Sequence, residues 1–300
     1  MKVMISGGTG MIGTALAQDL ATSGHNVVIL TRRSYPGDTR NEKIRFVQWD
    51  GKTAGDWVAE LENTDAVVNL AGENLSSSFW TEKQKRRIVA SRVDAGKALA
   101  EGFAQASHKP GVLIQASGSG AYGTSEEKVY TESDDYGSDF LASVTRDWET
   151  STLPVEKMQV RRVIIRSGVV LENGKGALRL MTLPFKLFVG GKLGTGRQWL
   201  SWIHLQDEVK AIRFLIENEN ARGIFNLSAT PVRNETFSKI AGKIMRRSAW
   251  LPTPAFLLKL ILGEMSTMVL EGQNISSEKI QNMGFKFIYP KIDDALIDLL

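Results

Sequence analysis

The chain has 300 residues, 42% hydrophobic and 23% charged, with a formal net charge of only +4. This suits one large domain or two fused lobes, and the even spread of charge argues against a nucleic-acid partner. It holds no cysteine and three histidines, which excludes disulfides, thiol catalysis and cysteine-metal sites and argues against a histidine metal cluster.

Residues 3–6 form a short apolar run, and glycines follow. Met11, Ile12, Ala15, Leu16 and Leu20 then recur at helical spacing, with Gly24 closing the helix. Residues 27–30 are a continuous, β-branched apolar run, the mark of a strand buried on both faces. Further strands are predicted at 44–47, 66–70, 112–115 and 160–165, and helices at 82–105 and 138–151. Strands separated by helical crossovers predict a parallel sheet with helices on both faces. Beyond residue 230 the pattern turns helical, at 237–245, 255–262, 265–270, 277–282 and 292–299, with an extended piece at 285–289. The expected architecture is α/β: a doubly wound parallel-sheet Rossmann fold over residues 1–230 with a smaller helix-rich C-terminal lobe over 231–300. The two lobes should pack together, with a substrate cleft between them at the carboxyl ends of the strands. No run reaches the roughly 18 apolar residues of a membrane span. The chain opens directly on a strand pattern, so a cytoplasmic protein without a membrane partner is expected. The apolar helices at 255–270 are expected to pack on the sheet or on another subunit, which leaves room for a homodimer.

The strongest motif is Ser6-Gly7-Gly8-Thr9-Gly10-Met11-Ile12-Gly13. It lies between the first strand and the first helix. There Gly7 permits the tight turn, Gly10 lets a pyrophosphate approach the backbone, and Gly13 lets helix and strand pack closely. The helix start, with Thr9, Met11 and Ile12, offers free N–H groups and a positive dipole end to the phosphates. The second strand ends Leu30-Thr31-Arg32-Arg33. An NAD site places a carboxylate there for the ribose 2′-hydroxyl. Two guanidiniums instead suit a 2′-phosphate, so NADP(H) is the expected cofactor. The competing reading makes both arginines solvated surface.

The spacing G-x-x-G-x-x-G resembles the extended, epimerase-like branch of the short-chain dehydrogenase/reductases. Asn69-Leu70-Ala71-Gly72 is similar to the branch's N-x-A-G element, Asp50 to its adenine-contacting acidic position, and Ala116-Ser117-Gly118-Ser119-Gly120-Ala121-Tyr122 to its serine-bearing strand end. Phe79-Trp80-Thr81, Ser91-Arg92-Val93, Arg146-Asp147-Trp148-Glu149, Pro184-Phe185-Lys186, Ser201-Trp202-Ile203-His204 and Gly263-Glu264-Met265 resemble an atypical subgroup. Its members are labelled epimerase family proteins and carry a C-terminal helical domain of unknown function. The resemblance spans essentially the whole chain. It implies that Leu70, Ala71, Gly72 and Asp50 line the dinucleotide site and that Ser117, or else Ser119, donates to a substrate carbonyl.

One element of the pattern is missing. Hydride-transferring relatives pair a tyrosine with a lysine four residues on, and the cation lowers the phenol pKa. Registering the helix at 138–151 on Glu149 puts Leu141 and Thr145 at those positions. Tyr136 is followed by Phe140, and Tyr122 and Tyr130 have Glu126 and Asp134 at that spacing, which would raise a phenol pKa. Tyr122 remains the best acid or base candidate, against a packed aromatic bonded to a neighbour. The serines could instead satisfy local backbone groups.

Four other features carry expectations. Lys83, Lys85, Arg86 and Arg87 read as a solvated helix side, with Arg92 set apart by its motif. Residues 189–197, with Gly190, Gly191, Gly194 and Gly196 and joined by Trp199 and Trp202, could be a mobile lid or a loop needing positive φ. His204, near Asp207, reads as a structural partner at a helix start. Arg166, after the sixth strand, could border the nicotinamide end or form a surface ion pair. Together these features predict an NADP(H)-dependent oxidoreductase or epimerase-type enzyme for a small polar substrate. The alternative is a catalytically silent NADP(H)-binding sensor or regulator.

Overall fold

The computed structural model describes residues 1–33 and 41–300. Its centre is a seven-stranded sheet of β1 (Lys2–Ser6), β2 (Asn26–Thr31), β3 (Ile44–Gln48), β4 (Ala66–Asn69), β5 (Val112–Gly118), β6 (Arg161–Ser167) and β7 (Gly223–Leu227). They run in the order β7-β6-β5-β4-β1-β2-β3. Every neighbouring pair is parallel. This is the doubly wound arrangement, and its direction reverses between β1 and β4, the crevice where such folds place their ligands.

The apolar runs behave as strands buried on both faces. Val3, Ile5, Val27, Ile29 and Val68 join one cluster with Leu16, Ala17 and Leu20 of α1 (Met11–Thr22) and with Val209, Ile212 and Leu215. The alternate residues Met4, Val28, Leu30 and Val67 join Ala95, Leu99 and Phe103 of α2 (Glu82–Gln105) on the other face. This alternation, with a period of about two residues along each strand, aims successive side chains at opposite helical layers. Helix α3 (Phe140–Ser151) packs beside α2, and α4 (Gly176–Lys186) follows β6. Helix α5 (Leu205–Glu217), which carries Val209, Ile212 and Leu215, sits beside α1, with His204 as its N-cap.

The C-terminal third brings α6 (Asn234–Ile244), α7 (Ala255–Leu262), α8 (Thr267–Leu270), α9 (Glu278–Asn282) and α10 (Ile292–Leu299). Residues on both sides of position 230 share one apolar cluster, in which Leu178, Phe185 and Trp202 meet Phe237, Ile292 and Leu296. The chain also returns to the main body as Asn274–Ile275, pairing in parallel with Val129–Tyr130. Buried Asp207 then ties down the segment ahead of α10 by accepting the Ile288 and Tyr289 N–H groups at 2.7 and 2.9 Å.

One expectation needs correction. Helix α7 does not pack on the sheet: none of its residues is buried, and Phe256 and Leu260 are 72% and 79% exposed. Among the described residues, no helix is long and apolar enough to cross a membrane.

Candidate functional site

The glycine turn leaves β1 and enters α1 with its backbone tightly folded. Gly7 has φ +71°, and a Cβ there would lie 2.5 Å from the Leu70 carbonyl oxygen. A Cβ on Gly13 would lie 2.5 Å from the Gly7 carbonyl oxygen, so the helix can approach the turn only without a side chain. Gly10 is different. Its missing Cβ would face outward, with only the Gly7 oxygen in reach, at 3.3 Å. Gly10 is the N-cap of α1, no side chain caps the helix, and no acidic residue stands in its first turn. Thr9 and Gly10 are exposed and Met11 and Ile12 half-buried. The first N–H groups of a helix have no acceptor within it, and here they open outward with the positive dipole end.

Beside this turn, Arg32 and Arg33 are exposed at the end of β2, while Thr31 is buried and its hydroxyl accepts the Arg33 N–H at 3.3 Å. The Arg32 side chain runs past Gly51. Asp50 folds its own loop, accepting the Lys52 and Thr53 N–H groups at 2.8 and 2.9 Å and the Thr53 hydroxyl at 2.8 Å. Those backbone donors, Thr53 before Lys52, hold its carboxyl below the usual range. Leu70 and Ala71 are half-buried and Gly72 is exposed at the end of β4.

A buried polar ladder crosses the strand ends. The Ser6 hydroxyl donates to Asn69 Oδ1 at 2.6 Å, Asn69 Nδ2 to Gln115 Oε1 at 2.9 Å, and Gln115 Nε2 to the Ala116 carbonyl at 2.7 Å. Next to it, Glu149 of α3 gathers four donated bonds. Ser117 Oγ donates at 2.6 Å, Tyr136 Oη at 2.5 Å, and Arg166 Nε and Nη2 at 2.9 and 3.0 Å. The Arg166 guanidinium also lies 4.7 Å from the ring centres of both Tyr122 and Tyr136.

The expected role of Arg166 is therefore corrected. It is not a surface ion pair: it is 1% exposed, its Nε and Nη2 are paired with Glu149 inside the protein, and its Nη1 has no hydrogen-bond partner among the described residues. Tyr122 is corrected as well. Its ring is 3% exposed and stacks on Tyr130, its hydroxyl donates to Asn226 Oδ1 at 2.6 Å, and burial raises its pKa. Tyr136 is pushed up to about 12 by burial, reinforced by Glu149. Neither phenol is a base near neutral pH.

A cavity of about 530 Å³ opens at the carboxyl ends of β5 and β6. Ser117 and Ser119 line it, as do Ser167 and Gly168, and Glu264, Met268 and Gln273 of the C-terminal segment close its far side. It lies between the strand ends and residues 264–273. Leu141 and Thr145 line it too, so the two positions registered for the tyrosine and lysine do face the pocket, with other chemistry. Thr145 spends its hydroxyl on the Leu141 and Ala142 carbonyls within α3. Among the described residues, no tyrosine, lysine or histidine lines this cavity.

The glycine-rich stretch 189–197 is not a lid, and none of its residues reaches the cavity. Gly194 N–H donates to the Thr253 carbonyl and Thr253 N–H to that of Lys192, both at 2.9 Å, and a Cβ on Gly191 would strike the Leu251 carbonyl. Trp202 is a core residue whose indole donates to the Thr230 carbonyl. Trp199 is held under Arg233 and bonded to the Glu126 carbonyl. The sequence reading missed Gln115, a polar residue inside an apolar strand run, and used Glu149 only for registry, although it stands in a quoted motif.

Sheet order, glycine turn and strand-end cavity together define a Rossmann-type α/β protein. Residues 3–145 match the family described as NAD dependent epimerase/dehydratase, and residues 253–299 match a domain of unknown function, DUF1731. Epimerase family protein YfhF of Bacillus subtilis is 40% identical over 302 residues, covering 100% of this chain and 98% of that protein. A crystal structure of the human epimerase family protein SDR39U1 with NADPH is similar at a TM-score of 0.90 and 32% identity, covering 100% of this chain and 99% of that one. A nucleoside-diphosphate sugar epimerase of Corynebacterium glutamicum is similar at a TM-score of 0.80 and 31% identity, over 100% of this chain and 58% of that one. The chain belongs to the NAD-dependent epimerase/dehydratase family.

Proposed function

We propose that this protein is an NADP(H)-binding oxidoreductase or epimerase-type enzyme whose small-molecule substrate enters the cavity beside Ser117. The observation that carries the reading is the open, uncapped N-terminal end of α1 behind the Gly7–Gly13 turn, with two exposed arginines at the neighbouring strand end. The N–H groups of the first turn of α1 would hold the diphosphate, and Arg32 and Arg33 the 2′-phosphate. The human relative crystallised with NADPH supports the choice of cofactor. The nicotinamide, when bound, supplies or accepts hydride. Ser117 orients the substrate: it lies in the cavity wall and can donate to a carbonyl when its hydroxyl turns from Glu149.

Calorimetry with NADPH and NADH tests this. NADPH should bind more tightly than NADH, and Arg32→Ala should weaken NADPH by about tenfold or more while leaving NADH unchanged, as expected for loss of a charge-assisted contact. Equal affinities, or an Arg32→Ala protein that binds NADPH like wild type, would overturn the cofactor assignment.

The second reading, an NADP(H) sensor without turnover, draws on Leu141 and Thr145 standing where the cavity would need a phenol and an amine. It predicts tight NADPH binding with no hydride consumption across a panel of carbonyl compounds.

A further inference from the structure

Arg92 is a buried cation with almost nothing to hold. It sits on α2, 7% exposed, and lines the cavity. Among the described residues its one hydrogen bond is from Nη1 to the Ile88 carbonyl at 3.0 Å, a main-chain acceptor in its own helix. The guanidinium lies 4.9 Å from the Trp148 ring centre, and Gly72 backs it so closely that a Cβ there would stand 3.1 Å from Cζ. Ring, glycine and helix thus fix where the group sits, in the wall of the cavity.

The nearby carboxylates are engaged elsewhere. Glu73 accepts from Arg87 at 3.0 Å and from Gln84 at 2.9 Å. Glu264 pairs with Lys85, and Asp139 caps α3 through the Ala142 N–H. Burial pulls the Arg92 pKa down to about 10, with Glu73 alone raising it. A buried guanidinium without a carboxylate is costly, and its planar fork of donors matches an oxyanion. The α3 side of the wall is largely apolar, with Leu75, Trp80, Phe140, Leu141 and Val144, while Glu264 and Glu271 stand in the lining contributed by the C-terminal segment.

We infer that Arg92 is the anchor for an oxyanion on the substrate, and that the substrate is an amphiphile with a carboxylate-like head at Arg92 and an apolar body along the α3 wall. The inference rests on the reading that this cavity receives the substrate. It does not depend on which dinucleotide binds.

The test uses 4-phenylbutyrate and its neutral counterpart 4-phenylbutan-1-ol as probes, with tryptophan emission as readout because Trp80 and Trp148 line the cavity. Each is titrated with and without saturating NADPH. The carboxylate should bind the wild type at least about tenfold more tightly than the alcohol, the usual reach of a charge-assisted pair. Arg92→Gln should erase that preference without changing the alcohol's affinity, and Arg92→Lys should keep part of it. NADPH affinity should be the same in all three proteins. Equal binding of the two probes to wild type, or no binding of either, overturns the inference. So does a preference that survives in Arg92→Gln. A loss of NADPH affinity in Arg92→Gln matching the loss of carboxylate affinity would assign Arg92 to the dinucleotide instead. If NADPH fails to bind wild type while the Arg92-dependent preference holds, the cofactor reading falls and this one stands.

Discussion

Two buried guanidiniums stand near Ser117, and they are provided for in opposite ways. Arg166 is closed in, with two bonds to Glu149 and two tyrosine rings against it. Arg92 faces a cavity with a single main-chain acceptor. A charge that the fold pairs with a carboxylate does structural work; one left without an anion is available to a ligand. The two regions share Ser117, which donates to Glu149 on the closed side and lines the cavity on the open side. The difference shows why a motif position alone did not reveal its role: Arg166 follows the position expected for a cofactor contact, yet the fold has enclosed it.

The largest effect should come from the closed side. Removing Glu149 as Glu149→Ala leaves Arg166 buried and unpaired and strips the acceptor from Ser117 and Tyr136. Stability to urea should fall by about 3–5 kcal/mol, as for other broken buried pairs. A loss below about 1 kcal/mol would mean the cluster is not the closed structural unit described.

Glu208, bonded to Ser167 next to Arg166 on β6, offers a second test, through pH. Its carboxyl is fully buried, receives one bond from Ser167 at 2.7 Å, and has its second oxygen without a hydrogen-bond partner among the described residues. Burial raises its pKa from 4.5 to about 7, against the Ser167 bond. The folded form therefore keeps a proton that the unfolded chain releases. Stability is greatest below about pH 4.5 on this account, declines as pH rises to about 7, and is level beyond, a total loss of roughly 3 kcal/mol. Glu208→Gln should flatten that slope in urea melts between pH 5 and 8. A slope that persists in the variant would assign the pH dependence to other groups.

How far the sequence disclosed this arrangement depends on the range of the interaction. The glycine turn, α2 and the central strands follow from local patterns: Gly7 and Gly13 are dictated by contacts inside one strand-turn-helix unit, and the bounds of α2 coincide with its periodic stretch, opened by the Thr81 cap on Gln84 N–H. The closed cluster is different. Ser117 meets Glu149 across 32 positions, and Tyr122 meets Asn226 across 104. No local spacing encodes those meetings, so Tyr122 reads as a candidate acid on its motif, while the fold stacks it on Tyr130 and bonds it to Asn226. The glycines at 190–196 failed as a lid for the same reason: their neighbours, Leu251 to Thr253, come from the C-terminal third.

Tyr122→Phe isolates one contact of the closed side. The ring's stack on Tyr130 and its place under Arg166 remain, while Asn226 Oδ1 loses a donor at 2.6 Å. Stability should drop by about 1–2 kcal/mol, the usual result of stranding one buried acceptor. NADPH affinity and any turnover should be unchanged. A folded Tyr122→Phe protein with turnover abolished would return the phenol to the chemistry.

The smallest expected effect has the opposite sign and bears most directly on the contrast between the two arginines. Methionine follows the course of the Arg92 stem, can pack on the Trp148 ring, gives up the bond to the Ile88 carbonyl, and removes a cation that the unliganded fold leaves without a bonded carboxylate. A residue kept for a ligand is expected to burden the empty protein, so Arg92→Met should raise stability in urea by about 1 kcal/mol. The same change at Arg166 strands Glu149 and must destabilise. Opposite signs for one substitution at two buried arginines would separate a charge the fold requires from one it tolerates. If Arg92→Met instead lowers stability by more than about 2 kcal/mol, the guanidinium is structural too, and the two sites differ only in how many neighbours share the task.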